Sequence, residues 1–231
     1  MDDVTPLETA INIVKQKDYS LANRLSAFLY IVEKFEPSCF PLLESLLTNP
    51  QEEVEIRSAA ALSLGKIGGD KALYLLLQMA DNENNTVRNY AIQALGLLGH
   101  KQGIPALLQA LKDEDNAIFA SAAEALGRLG KQVVPDLIDL LQNTQNADDA
   151  RCIAAWQLGT LRAPEALPAL TQILHSEPNA ELVALAIWAL GEIGVSSDPV
   201  LESLQAARRH EDATIYERAE MAIKKITRHV N

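Results

Sequence analysis

Apolar and small residues recur along this chain three and four apart, the spacing that sets them on one face of a helix. The clearest stretch, Ile56 to Gly68, reads IRSAAALSLGKIG. Four later stretches repeat it: VRNYAIQALGLLG from Val87, IFASAAEALGRLG from Ile118, ARCIAAWQLGTLR from Ala150 and LVALAIWALGEIG from Leu182. Weaker copies run from Leu21 to Glu33 and from Ile215 to Thr227. The tenth of the thirteen positions is Gly at 65, 96, 127, 159 and 191, so the unit returns every 31 or 32 residues. A fixed period of this size marks a repeat architecture.

Between these stretches lies a second type of apolar helix that opens on proline, as at Pro41, Pro105, Pro135 and Pro168. Proline fits the first helical turn, where the N–H it lacks would have no partner. Polar joints such as Asp113-Glu114-Asp115-Asn116 and Ser176-Glu177-Pro178-Asn179 supply N-caps for the helix that follows. Glycine at position thirteen (Gly68, Gly99, Gly130, Gly194) suits a helix C-terminus. The predicted unit is helix, turn, helix. A one-sided apolar face cannot be buried within one unit, so the units stack. The expected fold is all-α: a right-handed α-solenoid of about seven helix pairs, one domain over residues 1–231. Its atypical capping repeats cover about 1–36 and 197–231, where Tyr30 and Lys224 take the place of the position-ten glycine.

The pattern V/I-R-x-x-A-A-x-A-L-G-x-I/L-G resembles the HEAT-like repeat of the phycobilisome-lyase type, most closely at 56–68 and 87–99. That group includes two-subunit phycobilin lyases of cyanobacteria, phycobilisome-degradation proteins and a HEAT protein of iron–sulfur cluster assembly. The resemblance implies a protein partner, either a phycobiliprotein or a second HEAT-like subunit. No cofactor is expected from the residues themselves; the resemblance leaves room for a bound bilin and, behind it, an iron–sulfur cluster. It assigns no catalytic residue here.

On a helical wheel, positions 1, 5, 8, 9 and 12 share the core side: Ile56, Ala60, Ser63, Leu64 and Ile67 in the clearest copy. Positions 3, 7 and 10 lie opposite. In such solenoids the second helices line the concave surface. That surface is expected to carry Asn23 and Ala27, Ser58 and Leu62, Asn89 and Gln93, Ala120 and Glu124, Cys152 and Trp156, Ala184 and Trp188, Glu217 and Met221. Both tryptophans of the chain occupy position seven, in consecutive repeats, with Met221 in the next. As groove residues, Trp156, Trp188, Leu62 and Met221 would anchor a partner beside Cys152, Gln93 and Glu124. The competing expectation is that position seven tilts toward the neighbouring repeat and both rings are packing. The position-ten glycines imply close helix approach first and ligand access second.

Arg57, Arg88 and Arg151 share position two, and the pattern breaks at Phe119 and Val183. Pairing with carboxylates of the inter-helix turns, such as Asp81, Asp113 and Asp149, is expected ahead of a basic ladder that reads acidic ligands.

Composition narrows the function classes. The 231 residues carry a net charge of −11, which disfavours a nucleic-acid partner. From Arg208 onward six Lys or Arg meet four Asp or Glu, and the expectation there is a solvated last helix matched to its dipole. No apolar run is long enough for membrane insertion, and the two cysteines, Cys39 and Cys152, suit a reducing cytoplasm. The acidic start carries no secretory signal pattern. No nucleophile elbow, Walker lysine or zinc-binding His pair occurs. Gly65-Lys66-Ile67-Gly68-Gly69 ends a helix, so capping is expected there rather than phosphate binding. His100, His175, His210 and His229 are scattered, and no metal site is expected; His210-Glu211-Asp212 reads as a turn. Cys152 is the single residue with nucleophile or ligand potential, weighed against a small packed residue, and Cys39 reads as helix-boundary packing beside Pro37 and Pro41. The resulting expectation is a protein-binding scaffold that handles a phycobiliprotein or its bilin. The alternatives are a bilin lyase subunit with its own catalytic role and a partner in iron–sulfur assembly.

Overall fold

The computed structural model describes residues 5–34 and 39–228. Among them are fourteen helices in seven pairs, and no strand. The pairs are α1 (Pro6–Lys15) with α2 (Leu21–Glu33), α3 (Phe40–Thr48) with α4 (Val54–Ile67), and α5 (Asp70–Met79) with α6 (Asn85–Leu98). Then follow α7 (Ile104–Ala110) with α8 (Asn116–Arg128), α9 (Val134–Gln142) with α10 (Asp148–Thr160), α11 (Leu167–Ser176) with α12 (Ala180–Ile193), and α13 (Asp198–Ala207) with α14 (Ala213–Arg228). Pro37 and His229 lie outside the described residues.

Local chemistry sets the boundaries. Every first helix except α5 has proline in its first turn. The side chains of Asn84 and Asn179 each accept two backbone N–H groups at the starts of α6 and α12, and Asp115 accepts from Ala117 N at 2.9 Å. Gly99 and Gly194 end their helices at φ of 65° and 73°. Arg162 holds the corresponding turn in α10's repeat at φ 49° without being glycine.

The chain forms two compact units, residues 1–125 and 126–231. In the first, α1 packs on α2, α3 on α4, and α4 lies along α6. In the second, α9 packs on α10, and α12 lies between α10 and α14. Positions 1, 5 and 9 are the core, as the wheel implies: Ile56, Ala60 and Leu64 are fully buried, and so are Leu182, Ala186 and Leu190.

The glycines mark where second helices touch. A Cβ on Gly65 would stand 2.5 Å from the Ala94 carbonyl oxygen, and one on Gly96 2.6 Å from Ala125 Cβ. In residues 126–231, Gly159 faces Ala189 Cα at 2.8 Å and Gly191 faces Ala222 Cβ at 3.1 Å. Position ten of one repeat thus meets position eight of the next, and both must be small. Gly127 is the variant: its neighbour is the buried Gln157, whose Nε2 would lie 2.9 Å from an added Cβ.

Position-two arginines tie helix to helix. Arg57 Nε donates to Leu47 O at 3.1 Å and Arg151 Nε to Leu141 O at 3.0 Å. Each accepting carbonyl lies in the last turn of the preceding first helix, where a cation also complements the helix dipole. Arg88 pairs with the expected Asp113 at 2.8 Å. Arg151 pairs with Glu177 at 2.5 Å and Asp148 at 3.4 Å, where the spacing suggested Asp149.

Arg24 makes the same bond, Nε to Val14 O at 2.9 Å, again ten residues back. It also pairs with Glu52 at 2.8 Å and with Glu53. Arg24 therefore stands at position two of its repeat, and the Leu21–Glu33 alignment is displaced by two residues. In the corrected register, position seven is Leu29 rather than Ala27. The burial agrees: Ala27 is buried and Leu29 is 67% exposed.

Candidate partner-binding face

The side chains expected to anchor a partner follow the register of the second helices. In residues 126–231, position seven holds Trp156 on α10, Trp188 on α12 and Met221 on α14. Trp156 is 44% exposed and Met221 70% exposed, both unusual for large apolar side chains. Trp188 is half-buried. Its ring edge lies over Gly159, where an added Cβ would approach Cζ3 within 2.7 Å. The two expectations for position seven therefore divide between the rings: Trp156 is open, while Trp188 packs one edge into the seam and shows the other to solvent.

That open edge lines a cleft between α12 and α14 of about 550 Å³. Its floor is Trp188, Gly191, Met221 and Ala222, and its rim carries Arg218, Lys224, Lys225, Arg228 and Glu192. Lys225 and Glu192 form an ion pair at 2.5 Å. Lys224 reaches Glu220 at 3.4 Å, and Glu220 also pairs with Arg208 at 2.9 Å. Arg218 Nη1 donates to Ala184 O at 3.3 Å. The sequence pattern alone implies that these cations sit on a solvated helix. The signal for them was the local basic excess after Arg208, read together with Met221 on the same helix.

In residues 1–125 the expected site residues are more polar. Leu62 is half-buried, Gln93 is half-buried and donates to Ser121 Oγ at 3.2 Å, and Glu124 is exposed. Leu29 is the residue the displaced alignment missed; the register of Arg24 against Arg57 is the signal that finds it. Position three is mixed: Ala120 and Glu217 are exposed as the wheel implies, and two copies are not. Ser58 and Ala184 are buried at 4% and 6%.

Cys152, one turn before Trp156, is half-buried. Burial, followed by the charges of Glu181, Asp149 and Asp148, pushes its thiol up to about 11, so the thiolate is disfavoured at neutral pH. Among the described residues no three His, Cys, Asp or Glu side chains are grouped to hold a metal ion. Cys39 is fully buried at the start of α3, as expected of boundary packing. No helix of the described residues is long and apolar enough to cross a membrane.

The paired helices have counterparts in known proteins. HEAT repeats match residues 8–95, 75–151 and 134–224. The chain belongs to the HEAT repeat family. No curated protein sequence matches it. Among solved structures, this HEAT repeat chain is similar to the archaeal HEAT-like repeats protein from Thermococcus onnurineus, 16% identical across 100% of both chains with a TM-score of 0.60. It is also similar to the complex of CpcE and CpcF of phycocyanin lyase from Nostoc sp., 23% identical over 99% of this chain and 89% of that chain, TM-score 0.50. A designed armadillo repeat protein in complex with the peptide (KR)4 is 16% identical over 81% of this chain and 99% of that chain, TM-score 0.50. At these identities the likeness is one of fold, and the fold is an all-α solenoid.

Proposed function

We propose that this HEAT repeat protein is a binding scaffold that holds a protein partner on the position-seven face of its second helices. The observation that carries this reading is the set Trp156, Trp188 and Met221, large apolar groups at one position of three consecutive second helices, two of them well exposed. Tryptophan concentrates binding energy at interfaces, and methionine adapts its shape to what it meets. The partner we favour is a phycobiliprotein or its bilin. The sequence resemblance to the phycobilisome-lyase type of repeat supports this. Cys152, with its raised thiol, gives little support to a role in iron–sulfur assembly.

The test is the absorption spectrum of the protein isolated with its partners from its native host, repeated with Trp156→Ala combined with Met221→Ser. Both side chains are exposed, so the double variant should fold. Bilin bands in the wild-type complex that vanish from the variant are the expected result. A partner retained undiminished by the double variant overturns the scaffold reading. A partner that is lost on substitution yet carries no chromophore overturns the bilin assignment alone.

A further inference from the structure

We propose that the cleft between α12 and α14 recognises an acidic segment of the partner, a peptide that inserts one large apolar side chain between flanking carboxylates. The proposal rests on the scaffold reading and specifies what one end of that face binds.

The charge of the cleft runs against the charge of the chain. Four cations and one carboxylate line it, on a protein of net charge −11. Glu192 neutralises Lys225, and Lys224 shares Glu220 with Arg208. Among the described residues no carboxylate pairs with Arg218 or Arg228. Positive charge is therefore left over beside an apolar floor, and an anionic group arriving there meets donors that are already in place.

The distribution of the cations favours a peptide over a compact anion. Arg218 and Arg228 are ten positions apart on α14, about 15 Å at 1.5 Å per residue. A single phosphate or carboxylate could engage only one end of such a row. Carboxylates spaced along a peptide could engage both ends while an apolar side chain between them covers Trp188 and Met221. The acidic remainder of the chain repels such a peptide elsewhere, so the cleft is also where it would be steered.

A fluorescently labelled peptide with glutamates flanking one central leucine is the probe, with its lysine counterpart as control. The glutamate peptide is expected to bind the full chain and weaken steeply as salt rises. Lys224→Glu combined with Arg228→Glu, both exposed, is expected to weaken it tenfold or more at an unchanged melting temperature. Equal binding of the two peptides, or no effect of the double reversal, overturns the proposal. Absence of peptide binding alongside biliverdin binding that depends on the same two cations overturns it in favour of a small ligand. Concentration-dependent self-association abolished by the double reversal overturns it in favour of a second copy of the chain. The scaffold reading fails separately, through Trp156→Ala with Met221→Ser, and so survives a negative result here.

Discussion

Trp156 and Trp188 occupy the same repeat position, yet their surroundings assign them different work. Trp156 leaves nearly half its surface in water, so truncating it removes less buried contact than truncating Trp188 does. Trp188 closes over Gly159, and its loss would open a void along the α10–α12 seam. Trp156→Ala is expected to cost less stability than Trp188→Ala, which should lose about 1–3 kcal/mol, because cost follows burial and the cavity left behind. Urea unfolding of both variants checks the difference. Equal costs would show that the seam contact of Trp188 contributes little. The sequence aligns both rings at position seven, but residue spacing cannot say which way a half-exposed ring leans. That depends on the missing side chain of a glycine 29 positions away.

At the scale of the helix, repetition made the elements legible. A pattern seen five times identifies its core positions, its caps and its close contacts even though any one copy is ambiguous. Legibility failed at the first copy, where the alignment from Leu21 begins two residues too early. The buried bond from Arg24 to Val14 O decides the register, and a hydrogen bond across ten residues is invisible to hydropathy. The cationic cleft is obscured for a related reason, since only the packing of α14 on α12 brings Met221 and the basic residues of α14 around one floor. The glycine seam supplies a prediction at this scale. Alanine favours a helix over glycine by about 0.5–1 kcal/mol, so Gly65→Ala would stabilise an isolated α4. In the protein its Cβ meets the backbone of Ala94, which cannot yield without moving α6. Overpacking of this kind costs about 1–3 kcal/mol, so the net expectation is a lower melting temperature. Gly127→Ala meets the amide end of the Gln157 side chain instead, which can rotate, and should lose less. Thermal unfolding of the two variants checks the order; equal losses would mean that the backbone contact at Gly65 is not the limiting one.

Over the whole molecule, several carboxylates are held in the ionised form by the repeat joints. Burial pushes Glu52 up, but hydrogen bonds from Arg24 and Glu53 prevail and bring it down to about 2. The Arg88 hydrogen bond lowers Asp113, that of Asn85 lowers Asp115, and the backbone N–H groups of Thr214 and Thr5 lower Asp212 and Glu8. A carboxyl group whose folded value lies below its unfolded value binds its proton more readily in the unfolded chain. Its stabilisation is therefore complete above the unfolded value and drains away as pH falls through the folded one. For Glu52 that window runs from 4.5 down to about 2. The melting temperature should be level above this window and fall steadily within it. Arg24→Met separates the buried pair from the exposed caps. It leaves Glu52 buried without its cation, which should cost about 3 kcal/mol near neutral pH. Because Glu52 then gains its proton at higher pH, the variant should also lose less on acidification than the wild type. Melting curves from neutral pH to pH 2 test both effects together. Parallel curves for the two proteins would place the acid sensitivity in the exposed caps rather than in the buried pair.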